Sequence, residues 1–361
     1  MYNVQYYIFF LHLMNEIREK FESLINSSTK IAITSHLRPD PDAFFSATAL
    51  LHYLKTYLHK DVDVIFESSQ SLENDDSPYS NDVIWDVSLP EKLIEYDTVI
   101  FLDGSEQSRF SHHPLKEVLE SKTTICFDHH LTTPDIPYSL YYCDNNLAST
   151  SHLLGELVIK KDILLKDRQL AEMILWSVMG DTGSLQFVDK KRVAVLQFVA
   201  SLIAQYDFSV EQLSMQLSTC NQLDLVIIQN YLKNCTFIEL QSGIKLMYSY
   251  PDDNLADTLG ITPDRLKSGI ATFQYLFLRK VKDYLWGFTV NPSVNEYGIS
   301  FRSAKTGYNV EKISRELFGG GGSLQAAGGK IVGKFSSNKA VAEEVIRILN
   351  STFIEPLDSV E

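Results

Sequence analysis

The side chains with chemistry to offer are carboxylates and imidazoles set directly after short apolar runs. His36, Asp40 and Asp42 follow Lys30-Ile31-Ala32-Ile33-Thr34-Ser35, Asp103 follows Ile100-Phe101-Leu102, and Asp128, His129 and His130 follow Ile125-Cys126-Phe127. Asp181 stands in Met179-Gly180-Asp181-Thr182-Gly183, whose glycines suit a tight backbone approach to a ligand. Carboxylates forced together repel one another, so such a cluster is costly unless acids are protonated or cations are bound. Oxygen and imidazole donors without thiolate suit hard or borderline divalent ions such as Mn²⁺ or Mg²⁺.

Each motif alone has a plainer reading. An Asp after a strand commonly caps a helix, and Asp42 ahead of Ala43-Phe44-Phe45 fits that role. His112-His113-Pro114 shows how cheaply paired histidines arise in a surface loop, and that pair is assigned no function. Four motifs in order, each at the end of an apolar run or in a glycine turn, are another matter.

The elements that must position these groups are legible as alternating strands and helices. Residues 30–35, 62–66, 98–102 and 123–127 read as buried strands, and 42–58 carries helical spacing with Ala43, Ala47, Leu50, Leu51, Leu54 and Leu58 on one side. This predicts an α/β fold, a mainly parallel sheet flanked by helices, with the acid-bearing loops converging at the carboxyl ends of the strands. Asn74-Asp75-Asp76-Ser77-Pro78 marks a surface loop. Helical patterns occupy 149–160 and 167–179, and a longer helical stretch covers 191–235. Beyond it, short strands at 244–248, 284–290 and 298–302 predict a smaller second α/β domain. The expected division is 14–190, a catalytic domain; 191–235, a helical linker; and 236–361, a substrate-binding domain.

Composition narrows the function. A chain of 361 residues with a formal charge of −14 has no broad basic face for long duplex nucleic acid, while a small anionic substrate held locally remains compatible. The four cysteines, Cys126, Cys143, Cys220 and Cys235, show neither metal-ligand pairing nor disulfide density, which fits a reducing cytoplasm. The apolar opening run 4–13 lacks a preceding basic residue and a cleavage signal, and is too short to span a bilayer, so no membrane association is expected. It reads as a loose arm, or as residues ahead of a natural start at Met14.

The motif His36-Leu37-Arg38-Pro39-Asp40-Pro41-Asp42, with Asp103, Asp128-His129-His130 and Asp181, resembles the four metal-binding motifs of the DHH phosphoesterase superfamily. Phe301-Arg302-Ser303 and Phe318-Gly319-Gly320-Gly321-Gly322-Ser323-Leu324-Gln325-Ala326-Ala327-Gly328-Gly329 are similar to the signature of its associated C-terminal domain. The layout is similar to that of small bacterial oligoribonucleases, which degrade nanoRNA and linear dinucleotides and in some cases dephosphorylate phosphoadenosine phosphate.

The resemblance implies a two-metal hydrolase, with Mn²⁺ favoured and Mg²⁺ as the alternative, acting on short RNA or dinucleotides. His36 and Asp40 would hold one ion, Asp42, His129 and Asp181 the other, and Asp103 would bridge both. Ions about 3.5–4 Å apart clamp the attacking and leaving oxygens of an in-line displacement and acidify a bridging water. His130 would face the scissile phosphate, with Asp128 behind orienting an imidazole through its other ring nitrogen. Arg302 offers a bidentate fork for a phosphate, beside Ser303 and Ser323, and Gly320, Gly321 and Gly322 would present backbone N–H groups to an anion at the start of a helix.

Arg109 matches a basic residue often found after the second motif, and equally suits a surface arginine at a helix end. Ser323 stands where relatives usually carry histidine, and Pro41 and Phe45 where they often carry glycine, which predicts altered packing of the first loop. A homodimer is one arrangement open to such a chain. Two further readings share these residues: a phosphomonoesterase or polyphosphate hydrolase using the same ions, and a nucleotide sensor without turnover.

Overall fold

In a computed structural model, residues 4–37, 39–67, 79–130, 132–218, 220–293 and 296–357 are described. Arg38 and the loop 74–78 lie outside them. The chain forms two compact units, Met1–Leu217 and Ser218–Glu361.

In the first unit, β1 (Lys30–Ser35), β2 (Asp61–Glu67), β3 (Val83–Asp86), β4 (Thr98–Leu102), β5 (Thr123–Asp128) and β6 (Leu140–Cys143) form one sheet in the order β3-β2-β1-β4-β5-β6. Every neighbouring pair is parallel. Strand order therefore reverses between β1 and β4, and open α/β sheets place ligands outside the carboxyl ends of the strands at such a switch point.

Alternate residues of each strand face opposite layers. Ile31, Ile33, Ile100, Leu102, Ile125 and Phe127 join the larger core with α1 (Val4–Ser27), α2 (Pro41–Leu58) and α4 (Arg168–Asp181). Ala32, Val99, Phe101 and Cys126 face the smaller core opposite. Between them in sequence lies α3 (Thr150–Leu153), which continues as one wide π turn over Leu154–Val158.

Over its described part the opening run is the start of α1, one continuous helix from Val4 to Ser27. Its C-terminal half is anchored: Phe21 packs edge-on to Phe127, and Arg18 donates to the carbonyls of Leu157 and Glu156. No helix among the described residues is long and apolar enough to cross a membrane.

The stretch 191–235 is three helices: α5 (Ala194–Tyr206), α6 (Val210–Ser218) and α7 (Gln222–Lys233). The boundary between the two compact units falls at the end of α6.

The second unit holds a mixed sheet in the order β11-β12-β10-β9-β8-β7. Its strands are β7 (Thr236–Glu239), β8 (Lys245–Ser249), β9 (Trp286–Pro292), β10 (Tyr297–Ser303), β11 (Gly321–Gly322) and β12 (Ala326–Ile331). Helices α8 (Val310–Phe318) and α9 (Asn338–Asn350) cover one face, closing a core around Trp286, Phe288, Phe301, Phe318, Val341 and Val345.

The glycine run does not open a helix. It follows the C-terminus of α8, where Gly319 turns left-handed (φ 58°) and Gly320 N donates to Ser314 O, and it leads into the β11–β12 hairpin. The helix dipole at that end is negative, so it adds no attraction for an anion.

Candidate metal centre

Three loops and a helix end bring the acids together. Asp40 caps α2, accepting from the backbone N–H groups of Asp42 and Ala43, so the capping role belongs to Asp40 and leaves the Asp42 carboxylate for other partners. Pro41 then opens the helix at a position where a missing N–H costs nothing. Asp103 ends β4 with φ +61°, a conformation that an aspartate tolerates better than most residues but still at some strain, and its N–H donates to Phe127 O.

Asp181 is not in a turn. It is the last residue of α4, and Gly180 before it makes room for protein rather than ligand: a Cβ there would lie 2.6 Å from Cβ of Pro41.

The imidazole of His129 is 3% exposed, and Nε2 lies 3.0 Å from Asp181 Oδ2, 3.5 Å from Asp103 Oδ1 and 3.6 Å from Asp42 Oδ2. Neither ring nitrogen makes a hydrogen bond to the described residues, the Asp181 oxygen being near but out of line with an N–H. A buried imidazole that leaves both nitrogens unpartnered amid three carboxylates is costly as it stands. A cation among the three carboxylates would satisfy Nε2.

Donor atoms fall into three sets, each within 4.8 Å: Asp42, His129 and Asp181; His36, Asp40 and Asp103; and Asp103, His129 and His130. In the second, His36 Nε2 is 3.3 Å from Asp103 Oδ2 and 3.8 Å from Asp40 Oδ1. All donors are carboxylate oxygen or imidazole nitrogen, which fits one or more hard or borderline divalent ions.

The electrostatics record the crowding. The Asp40 side chain is 51% exposed, yet burial of its inner side and the Asp103 and Asp181 charges push its carboxyl up to about 6, against the pull of His36. Burial and the same two neighbours raise Asp42. Burial alone would raise Asp103, but the His129 and His36 imidazoles hold it well below the usual carboxylate range. His129 and His36 rise in return, the acids around them outweighing their burial.

Asp128 is fully buried and belongs to none of the three sets. One oxygen accepts from the backbone N–H of His130 and, at 2.9 Å, pairs with His130 Nδ1; the other accepts from the Thr132 hydroxyl. With Nδ1 so engaged, His130 keeps Nε2 for other chemistry. Its side chain is 36% exposed.

Sequence reading overlooked the groups that hold Asp42. That carboxylate is fully buried and accepts from Thr150 N at 2.7 Å, from Ser151 N at 3.2 Å and from the Ser177 hydroxyl. The available signals were the hydroxyl trio Ser149-Thr150-Ser151 at a helix start and a single serine inside the apolar run Ile174-Leu175-Trp176-Ser177-Val178.

The remaining predicted residues are placed as follows. Arg109 sits in the last turn of the short helix Gln107–Phe110; its carbonyl accepts from Leu37 N at 2.6 Å and its side chain lies over Gly104, the residue that follows Asp103 in sequence. The residues His112 and His113 use their N–H groups on Glu67 and Ser111.

In the second unit Arg302 is half-buried on β10, with no carboxylate paired to it among the described residues, and burial together with the nearby Arg279 guanidinium brings it down to about 10. Ser303 is buried, its hydroxyl donating to Ala304 O and accepting from Tyr308 N. The Ser323 hydroxyl closes the hairpin turn against Ala326, and Gly320, Gly321 and Gly322 lead into that turn.

Residues 30–178 match the model of the DHH family, N-terminal domain. The chain is 20% identical over 317 residues to the bifunctional oligoribonuclease and PAP phosphatase NrnA of Mycoplasma pneumoniae, covering 86% of this chain and 90% of the relative. It is 24% identical over 336 residues to a probable bifunctional oligoribonuclease and PAP phosphatase NrnA of Streptococcus mutans, covering 90% and 96%. Among solved structures, an exopolyphosphatase-related protein from Bacteroides fragilis has the same fold, with a TM-score of 0.78 at 20% identity over 93% of this chain and 97% of that one.

Proposed function

We propose that this protein is a divalent-metal-dependent phosphoesterase that hydrolyses short oligonucleotides or linear dinucleotides to mononucleotides. The observation that carries the reading is His129, buried with Nε2 unpartnered among the described residues and facing Asp42, Asp103 and Asp181 at the switch point of a parallel sheet. The family match and the names of the relatives support phosphoester chemistry at that point.

In this reading His36, Asp40 and Asp103 would hold one ion, and Asp42, His129 and Asp181, with Asp103 shared between them, would hold a second, Mn²⁺ before Mg²⁺. Such ions supply neutralising charge for a phosphate and acidify water. Asp128 orients the His130 ring through Nδ1–H, so that Nε2 would face the leaving oxygen; the ring would have to carry a proton on both nitrogens to give the one on Nε2 to that oxygen, returning to the neutral Nδ1–H form. Arg302 grips a terminal phosphate of the substrate as a bidentate fork. A charge of −14 suits a short substrate held at one site in the cytoplasm rather than a long duplex. Removal of a phosphate from a nucleoside bisphosphate at the same site is the second activity, favoured by the double names of the relatives.

The test is Mn²⁺-dependent hydrolysis of a linear adenine dinucleotide, a short RNA, phosphoadenosine phosphate and polyphosphate in parallel, with Asp103→Ala as control. Cleavage of the first two, lost in the control, is expected. Binding of Mn²⁺ and nucleotide without hydrolysis of any substrate would replace the enzyme with a sensor.

A further inference from the structure

Thr150 is bonded to two of the ligand carboxylates at once. Its backbone N–H donates to Asp42 Oδ2 at 2.7 Å, and its hydroxyl donates to Asp103 Oδ1 at 3.0 Å. All three residues are buried.

The two carboxylates are held very differently. Asp42 has three donors on it, two of them backbone N–H groups. Among the described residues, the Asp103 carboxylate has the Thr150 hydroxyl and, beyond that, imidazoles at 3.3–3.5 Å. Its oxygens are divided: Oδ2 faces His36, whereas Oδ1 faces His129 and His130. The last torsion of an aspartate is broad and imposes no such division. The Thr150 hydroxyl meets Oδ1 alone, from a residue that cannot drift because its own N–H is tied to Asp42 and Ser149 caps the same turn.

We propose that Thr150 is a positioning residue that sets how Asp103 shares its two oxygens between the two ligand groups, and thereby the affinity of the second ion once the first is bound. This rests on the two-ion reading above. Without the hydroxyl, Asp103 is free to turn both oxygens toward whichever ion binds first. Loss of partners behind metal ligands commonly weakens metal binding about 10–100-fold.

The experiment is a calorimetric Mn²⁺ titration of the full chain, with electron paramagnetic resonance of the same samples, for wild type, Thr150→Val and Thr150→Ser. Wild type is expected to bind two Mn²⁺ and to show the spectrum of an exchange-coupled pair. Thr150→Val keeps the first affinity, binds the second ion about 10–100-fold more weakly, and shows the pair spectrum only at correspondingly higher Mn²⁺; Thr150→Ser, which restores a hydroxyl, behaves as wild type. Should wild type itself bind fewer than two ions, the two-ion reading falls. With two ions in wild type, an unchanged second affinity in Thr150→Val overturns the role of Thr150, and so does an equal loss at both sites accompanied by a lower melting temperature in chelator. If Thr150→Val does not fold, Thr150→Ala, which adds no bulk, takes the same measurements with the same expected split.

Discussion

Pro41 and Gly180 occupy each other's space. A side chain on Gly180 would place its Cβ 2.6 Å from Cβ of Pro41, so the first turn of α2 and the last turn of α4 meet only because one of the two residues has no Cβ. The residue after Pro41 is Asp42 and the residue after Gly180 is Asp181. Both face Nε2 of His129, at 3.6 and 3.0 Å.

Gly180→Ala is therefore expected to destabilise the protein by about 1–3 kcal/mol through overpacking, against a helix-propensity gain of about 1 kcal/mol. It should also weaken Mn²⁺ binding, since Asp181 moves with its neighbour. Pro41→Gly removes the opposing Cβ. The double variant should recover Mn²⁺ affinity toward wild type, read as a coupling energy in a double-mutant cycle. Additive losses would show that the contact does not set the spacing of the two acids.

The charge cluster makes metal-free and metal-bound stability diverge with pH. Asp40, pushed up to about 6, keeps its proton in the folded chain where an unfolded chain has lost it; Asp42 shifts the same way. Carboxyls raised on folding stabilise in acid and cease to do so as pH climbs through the folded value. His36 and His129, also raised, lose their contribution in the same direction, at higher pH. Asp103, held low, responds only in stronger acid. Calorimetry in chelator should thus show the site's share of stability falling from about pH 4 upward, isolated by comparison with Asp40→Asn. Metal ligands must be deprotonated, so the Mn²⁺-induced rise in Tm should be larger at about pH 7.5 than at about pH 5. A pH-independent rise would contradict the ligand set.

Strands buried on both faces announced themselves. Ile31-Ala32-Ile33 and Val99-Ile100-Phe101 are apolar at every position because alternate residues of each strand enter opposite layers, both of them covered. The edge strands β3 and β6 are short and only partly buried, so their runs carry no such signature. Strand β12 contains Ala326-Ala327-Gly328-Gly329, a sequence of poor strand propensity whose pairing is dictated by β10 and β11.

Asp103 and His129 stand out as candidates because they directly follow β4 and β5, and Asp40 and Asp42 because they lie at the start of the helix after β1. Asp181 was placed in a turn because Gly180 reads as a breaker, whereas in the structure it is the residue that lets α4 reach Pro41. Ser177 and Thr150 were not legible, since their partner Asp42 lies 135 and 108 residues away and nothing local distinguishes their hydroxyls.

Arg302 is half-buried near another guanidinium with no acid paired to it among the described residues, a placement that favours an incoming anion. Charge-assisted hydrogen bonds contribute about 1.5–3 kcal/mol each. Arg302→Lys keeps the charge but loses the planar fork. It is expected to raise KM for a dinucleotide on the order of tenfold with kcat little changed, one bond of about 1.4 kcal/mol being worth that factor. An equal fall in kcat with unaltered KM would place Arg302 at the reacting phosphate instead.

Gly320 separates the two units as objects of experiment. A Cβ there would sit 1.9 Å from the carbonyl oxygen of Gly328, an overlap with backbone that no side-chain rotation relieves. Gly320→Ala must push β12 from the end of α8, and a loss of about 3 kcal/mol or more is expected, at the upper end of overpacking effects. The affected core is that of Phe301 and Phe318, while Asp40, Asp42, Asp103 and Asp181 lie in the other unit. Hydrogen exchange should therefore quicken in β10 and β12 and stay slow in β1 and β4, with Mn²⁺ affinity unchanged. A parallel loss of Mn²⁺ binding would mean that the glycine hairpin supports the metal centre as well as its own domain.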